Sequence, residues 1–137
     1  MNKDDLKGLS RTRLREAKIL FINGEYSGAY YLAGYCVECA LKACIAKKTQ
    51  RYDFPNKVTA NASWSHSPTD LVRVAGIQSS LDAERKFDKQ FDANWGVVKD
   101  WGPDSRYGNL NQKQAEGLIE AISNRRHGVL KWLRRHW

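Results

Sequence analysis

Apolar residues along most of this chain recur three and four positions apart, which is the spacing of amphipathic α-helices. The first predicted helix begins between residues 5 and 10 and ends at residue 22, with Leu14 and Ala17 on its apolar face. Asn23-Gly24 ends this helix because both residue types accept the left-handed conformation found at helix C-termini.

The second predicted helix, about residues 27–47 with Ser27 as its N-cap, is apolar nearly all round. A helix without a polar face must be surrounded by others, so we expect it at the centre of a bundle. Glu38 and Lys42 are its only charges before Lys47, and their spacing of four residues lets opposite charges meet. We expect either a structural ion pair or a carboxylate in a cleft, where it acts as a base or orients an arginine.

Turn-forming residues divide the rest of the chain into shorter helices. A long polar connection covers residues 48–67, and Ser67-Pro68 then begins a short helix that ends near Gly76. The following helix starts at Ser79 or Ser80 and reaches about Trp95 or Val98, with Phe87 on its inner side. Residues 100–110 form a tight loop, and the last predicted helix covers about residues 111–135.

This pattern predicts an all-α fold, an up-down bundle of four to five helices. The 137 residues suit one domain over residues 1–137, with its core at about residues 10–134. No apolar run approaches the roughly 18–20 residues that a membrane span needs, and the N-terminus is too polar for a signal peptide.

Charge and cysteine usage narrow the choice of partners and compartment. Lys and Arg number 23 against 15 Asp and Glu, a net charge of +8, which favours polyanionic partners or serves solubility. The three cysteines, Cys36, Cys39 and Cys44, do not suggest a disulfide framework; they favour reduced thiols in the cytoplasm. Because the Cys-x-x-Cys pair has no second pair of ligands, we expect neither a metal site nor a cofactor.

Two arginines flank the apolar face of the last predicted helix. With Ile122 at the centre of that face, Arg126 lies about 40° to one side, Arg125 about 60° to the other, and His127 about 140° away in solvent. Burying an unpaired guanidinium is costly, so we expect these arginines to face an acid, a groove, a second subunit or a phosphate, or else to extend into solvent.

Further basic and aromatic residues offer contacts to a polyanion. Lys131, Arg134 and Arg135 lie in the last turns, and the first helix is also basic, so neighbouring first and last helices would form one basic face. In the loop, Trp101 and Arg106-Tyr107 either stack on a base or hold the loop against the bundle.

Four segments of the chain, in order, resemble the HEPN-domain family. The family's first helical hairpin is similar to REAKILFINGEYSGAYYLAGYCVECALKACIAK, and its His-x-x-x-x-Leu segment is similar to SHSPTDLVRVAG. The Trp-to-Arg-Tyr loop of one HEPN branch resembles WGPDSRYGN, and the closing helix resembles AEGLIEAISNRRHGVLKWL. The resemblance spans about residues 10–134.

This resemblance implies an all-α bundle that forms a homodimer through its last helix. Many members of the family are metal-independent RNases of toxin–antitoxin, phage-defence or RNA-processing systems. Others are non-catalytic modules associated with RNA or nucleotides, often paired with a small nucleotidyltransferase. The catalytic members carry Arg-x(4–6)-His in the last helix, and no arginine stands at that spacing before His127 or His136.

We therefore expect an RNA- or nucleotide-binding module with a degenerate catalytic motif that acts with a partner protein. The alternatives are a metal-independent endoribonuclease with displaced groups, for which Arg126, Arg125 and Glu38 are candidates, and an interaction module for an acidic protein. The candidate binding residues are Arg125, Arg126, Arg106, Tyr107, Lys42 and Trp101.

Overall fold

A computed structural model describes the backbone at residues 1–51 and 57–137 and the side chains at residues 1–49 and 60–137. Throughout these ranges the regular structure is helical, which confirms the all-α prediction. None of the helices described there is long and apolar enough to cross a membrane. The helices are α1 (Lys3–Ile22), α2 (Tyr26–Arg51), α3 (Lys57–Ala62), α4 (Pro68–Ala75), α5 (Gln78–Phe87), α6 (Lys89–Lys99), a 3₁₀ turn (Pro103–Tyr107), α7 (Gln112–Ser123) and α8 (Val129–Leu133).

The α1–α2 hairpin follows the predicted signals at its turn. Asn23 is the C-cap of α1, and Gly24 has a φ of 79°, the left-handed conformation that glycine adopts without steric cost. The predicted N-cap was wrong, because α2 already begins at Tyr26. The Ser27 hydroxyl instead accepts a hydrogen bond from the Leu110 backbone N–H at 3.0 Å, which ties the chain before α7 to α2.

As predicted, α2 is the central helix, and it contacts α1, α4, α7, α8 and the 3₁₀ turn. Gly34 allows the closest approach: a Cβ at this position would lie 2.1 Å from the Trp101 ring. Trp101 is only 3% exposed, so its ring has no face open to a base. The stacking role predicted for Trp101 was therefore wrong, and the side chain holds the loop against the bundle.

The short helix α4 also begins and ends where the sequence predicts. The Ser67 hydroxyl caps it by accepting from the Asp70 N–H, and Gly76 ends it with a φ of 74°. In the connection before it, α2 extends to Arg51 and α3 occupies Lys57–Ala62. Of the rest of the predicted connection, residues 63–67 are not helical, as predicted, and residues 52–56 lie outside the described residues.

The single helix predicted between Ser79 and Val98 is in fact two helices. Asp88 has extended backbone angles, and its carboxylate accepts from the N–H groups of Gln90 and Phe91 as the N-cap of α6. Aspartate favours such caps over helix interiors because its side chain competes for backbone N–H groups. The break leaves Phe87 88% exposed, so the prediction that it faces the core was wrong.

The last predicted helix is also interrupted, between α7 and α8. The Asn124 side-chain oxygen accepts from the N–H groups of Arg126 and His127, which closes a turn. At Gly128 a Cβ would lie 2.4 Å from the Asn124 carbonyl oxygen, so only glycine fits at the end of this turn. The angles derived for Arg125, Arg126 and His127 from a continuous helix were therefore wrong.

Candidate functional site

A polar depression of about 360 Å³ lies where α1 meets the α7–α8 turn. Four of its lining residues are cations, and none of its lining residues is acidic. We call this depression the cationic pocket and define it by its charged members: Lys18, Arg125, Lys131 and Arg134.

The elements that meet here bring together charges from both ends of the chain. Lys18 comes from α1, where Leu14 lies one turn earlier and forms part of the apolar wall. Lys131 and Arg134 come from α8 and its C-cap, three residues apart, and Arg125 comes from the α7–α8 turn. Of the predicted basic face from the first and last helices, Lys18, Lys131 and Arg134 thus lie together, whereas Arg135 pairs with Glu84.

No acidic side chain neutralises this pocket among the residues that the structure describes. The ion pairs among the described residues involve cations outside the pocket: Arg13, Lys42, His66, Arg73, Arg85, His127 and Arg135. Clustered like charges in a concave surface concentrate the positive potential and attract anions. The arrangement can therefore hold a phosphate or another polyanionic group.

The turn that carries Arg125 is fixed from behind by His127. Its Nδ1 lies 2.6 Å from Asp88 Oδ2, and Asn94 donates to the His127 carbonyl oxygen at 2.8 Å. The hydrogen bond from His127 is the main cause that lowers the pKa of Asp88, and the Phe91 N–H lowers it further. His127 is therefore an anchor between α6 and the turn, and the prediction that it lies in solvent was wrong.

The two arginines of the turn have different surroundings. Both side chains are exposed, but only Arg125 lines the cationic pocket. Of the surroundings expected for these arginines, a groove is therefore found only for Arg125. The two arginines point in different directions from those predicted because the Asn124 side chain closes a turn here, and the backbone is not helical.

A second polar cluster surrounds Glu38 on α2. This side chain is 2% exposed, and its two oxygens lie 2.7 Å from His66 Nδ1 and 3.5 Å from Lys42 Nζ. The predicted Glu38–Lys42 pair is confirmed, but Glu38 orients a histidine and not an arginine. His66 is about half exposed, and sequence reasoning gave it no role. The only signal was its place in the SHSPTDL segment, since periodicity cannot show a contact 28 residues away.

A family model described as HEPN domain matches residues 5–136, nearly the whole chain. The chain belongs to the HEPN-domain family. The comparisons with curated proteins and with solved structures gave no match. In this HEPN domain, Arg125, Arg126 and His127 are contiguous in a turn, and the imidazole is bound to Asp88.

The remaining binding candidates of this HEPN domain lie in the 3₁₀ turn. The Arg106 guanidinium stacks over the Tyr107 ring at 4.7 Å, and both side chains are exposed. Neither residue lines the cationic pocket. This pair is therefore a separate surface that combines a cation with an aromatic ring.

The three thiols of the domain are buried and free. Burial raises the pKa of Cys36 to about 11 and those of Cys39 and Cys44 to about 12. All three are therefore protonated and poorly nucleophilic near neutral pH. Within the described ranges, no group of three or more His, Cys, Asp or Glu side chains is placed to hold a metal ion.

Proposed function

We propose that this HEPN domain binds RNA through phosphate groups held at the cationic pocket, does not cleave it, and acts with a partner protein. The observation that carries the proposal is the lining of the pocket, with four cations and no acid. Contacts to phosphates supply most sequence-independent affinity for nucleic acids. A nucleotide would present the same phosphate chemistry to the same side chains.

The absence of cleavage follows from the position of the imidazole. Scission by the RNA's own 2′-hydroxyl needs a base near that oxygen and positive charge at the phosphate. The cationic pocket supplies the charge, but the His127 imidazole donates to the Asp88 carboxylate and is not among the residues that line the pocket. The cationic pocket can therefore bind a phosphate, but no imidazole lines it to act as the base.

A second candidate function is a metal-independent endoribonuclease with displaced groups. The observation that favours it is the half-exposed His66 imidazole, oriented by the buried Glu38 carboxylate. Such a pair suits a general base. Arg125 and Arg126 would then stabilise charge on the phosphate, in a dimer cleft that brings the two sites together.

The first test uses purified protein, labelled single-stranded RNA and EDTA. We expect retention of intact RNA, with affinity that falls as salt rises. If all four cations of the pocket contact phosphates, the slope of log K against log [salt] is about −3 for a single strand. Cutting that persists in EDTA and disappears in His66→Ala or Arg126→Ala would establish the nuclease instead. A protein that binds neither RNA nor nucleotides would leave an acidic protein as the partner.

We also propose a homodimer through α7. Gly117 lies exposed in the middle of this helix. A Cβ built at this position would have no atom of another element of the chain within 4 Å. Glycine in a helix costs about 1 kcal/mol relative to alanine, so a close external neighbour would explain its presence. In an antiparallel pair of α7 helices crossing at Gly117, Lys113 of each copy faces Glu120 of the other.

Light scattering tests the dimer with a matched pair of variants. We expect Gly117→Gln to shift the protein towards monomer at high micromolar concentration, because the longer side chain separates the two helices. Gly8→Gln is the control, since Gly8 is also exposed and has open space on α1. A wild-type monomer, or equal behaviour of both variants, would contradict the proposed interface.

The cellular setting of the proposal follows the family resemblance. A small nucleotidyltransferase is the proposed partner, in a toxin–antitoxin or phage-defence system of the cytoplasm. The three free, buried thiols fit a reducing compartment.

A further inference from the structure

At the break between α5 and α6, the aromatic ring of Phe87 lies at the surface and does not pack against the bundle. Phe87 is 88% exposed, although burying a phenylalanine side chain is worth about 1.5–3 kcal/mol. Exposed lysines flank it at positions 86 and 89. This segment is therefore a ring between two cations at the surface.

The segment that carries this ring is bonded to the turn that carries Arg125 of the cationic pocket. Asp88, the next residue, is bound to His127 at 2.6 Å, and His127 follows Arg125 by two residues in the same turn. Adjacent Cα atoms are about 3.8 Å apart. Phe87 is one residue from Asp88 and Arg125 is two residues from His127, so both lie within a short stretch of backbone of the Asp88–His127 hydrogen bond. Arg126 lies between Arg125 and His127 along the chain and is exposed. A strand with a phosphate in the pocket can thus continue past Arg126 towards Phe87.

The four acidic residues of this segment are Asp82, Glu84, Asp88 and Asp92, and each is bonded to a group other than Lys86 or Lys89. Asp82 and Asp92 line one depression with these two lysines, and Asp82 accepts from the Gln78 amide at 3.0 Å. Arg85 pairs with Asp92 at 2.7 Å, and Arg135 pairs with Glu84 at 2.9 Å. Asp88 is engaged by His127. The lysines beside the ring therefore remain available for phosphates.

From these contacts we infer that Phe87 is a stacking platform for an unpaired base, so that the domain selects single-stranded RNA. The inference rests on the proposed RNA binding at the cationic pocket. A ring beside a basic groove suits single strands because every unpaired base offers a π-face. The bases of a duplex are stacked on each other and cannot reach the ring.

Fluorescence anisotropy with one labelled RNA, alone or annealed to its complement, tests this inference. We expect the wild type to prefer the single strand. Phe87→Ala should weaken that binding at least about 5-fold and leave duplex binding unchanged. Phe87→Trp should retain binding, whereas Phe87→Leu should lose it, since leucine keeps apolar surface but has no π-face. Trp64→Ala, which removes another exposed aromatic ring, should bind like the wild type.

The outcomes separate this inference from the proposed function. RNA binding that depends on the pocket cations but is equal in Phe87→Ala and the wild type would overturn the platform alone. Wild-type binding in Phe87→Leu, or equal affinity for single strand and duplex, would also overturn it and indicate a protein contact or a plain phosphate site. A wild type that binds no RNA in either form would overturn both. Because Phe87 is exposed, thermal unfolding should be nearly the same in all variants.

Discussion

Reversing two charges of the cationic pocket, in the double variant Lys131→Glu and Arg134→Glu, should weaken RNA binding by about 100-fold. For exposed charges that salt screens, reversing one cation costs about 1.4 kcal/mol, which is tenfold in affinity, so two reversals give about 100-fold. Both side chains are exposed, so the fold should tolerate the change. The measurement is the dissociation constant for single-stranded RNA at fixed salt.

A control with the same change in net charge separates the pocket from the general basic surplus. In Lys3→Glu with Lys99→Glu, the charges lie far from the pocket. Lys3 is 15 residues of α1 from Lys18, about 22 Å, and Lys99 is about 16 Å along α6 from Asp88. We expect this control to lose only a few-fold in affinity. An equal loss in both double variants would show that binding depends on overall charge and not on this site.

The sequence predicts the parts of the fold that local interactions determine. The turn at Asn23-Gly24 and the helix from Ser67 to Gly76 depend on caps a few residues away, and both were predicted at the right residues. The central position of α2 follows from its composition alone. These features need no knowledge of what lies across the bundle.

The two helix breaks could not be predicted in this way. Apolar spacing stays helical on both sides of Asp88 and of Asn124, so periodicity continues through each break. Each break is stabilised by the other, since Asp88 binds His127 in the turn that Asn124 closes. Contacts between distant residues decided the structure there, against a local pattern that favours one long helix.

The same limit applies to the candidate site. The sequence indicated a basic face from α1 and the last helix, and Lys18, Lys131 and Arg134 do share a pocket. It did not separate Arg125 from Arg126, because their directions depend on the turn. The contact of His66 with Glu38 joins a loop to α2, and its only signal in the sequence was the place of His66 in the SHSPTDL segment.

The substitution Gly34→Ala should have the largest effect on stability. It combines a favourable change in backbone entropy with an unfavourable steric clash. Replacing glycine by alanine inside a helix gains about 0.5–1 kcal/mol in backbone entropy. At Gly34 the new methyl group would lie 2.1 Å from the buried Trp101 ring, which must move together with the loop that it holds. Overpacking of this kind costs about 1–3 kcal/mol or more, so we expect Gly34→Ala to lower the free energy of unfolding.

Chemical denaturation followed by circular dichroism measures both terms when a matched variant is included. Gly8→Ala makes the same substitution in α1 where nothing lies within 4 Å, so it should raise the free energy of unfolding by about 0.5–1 kcal/mol. Adding Trp101→Leu to Gly34→Ala should cost less than Trp101→Leu costs alone, because the smaller side chain leaves room for the methyl group. If Gly34→Ala were as stable as Gly8→Ala, Trp101 could not lie against α2. The 3₁₀ turn that presents Arg106 and Tyr107 would then need another anchor.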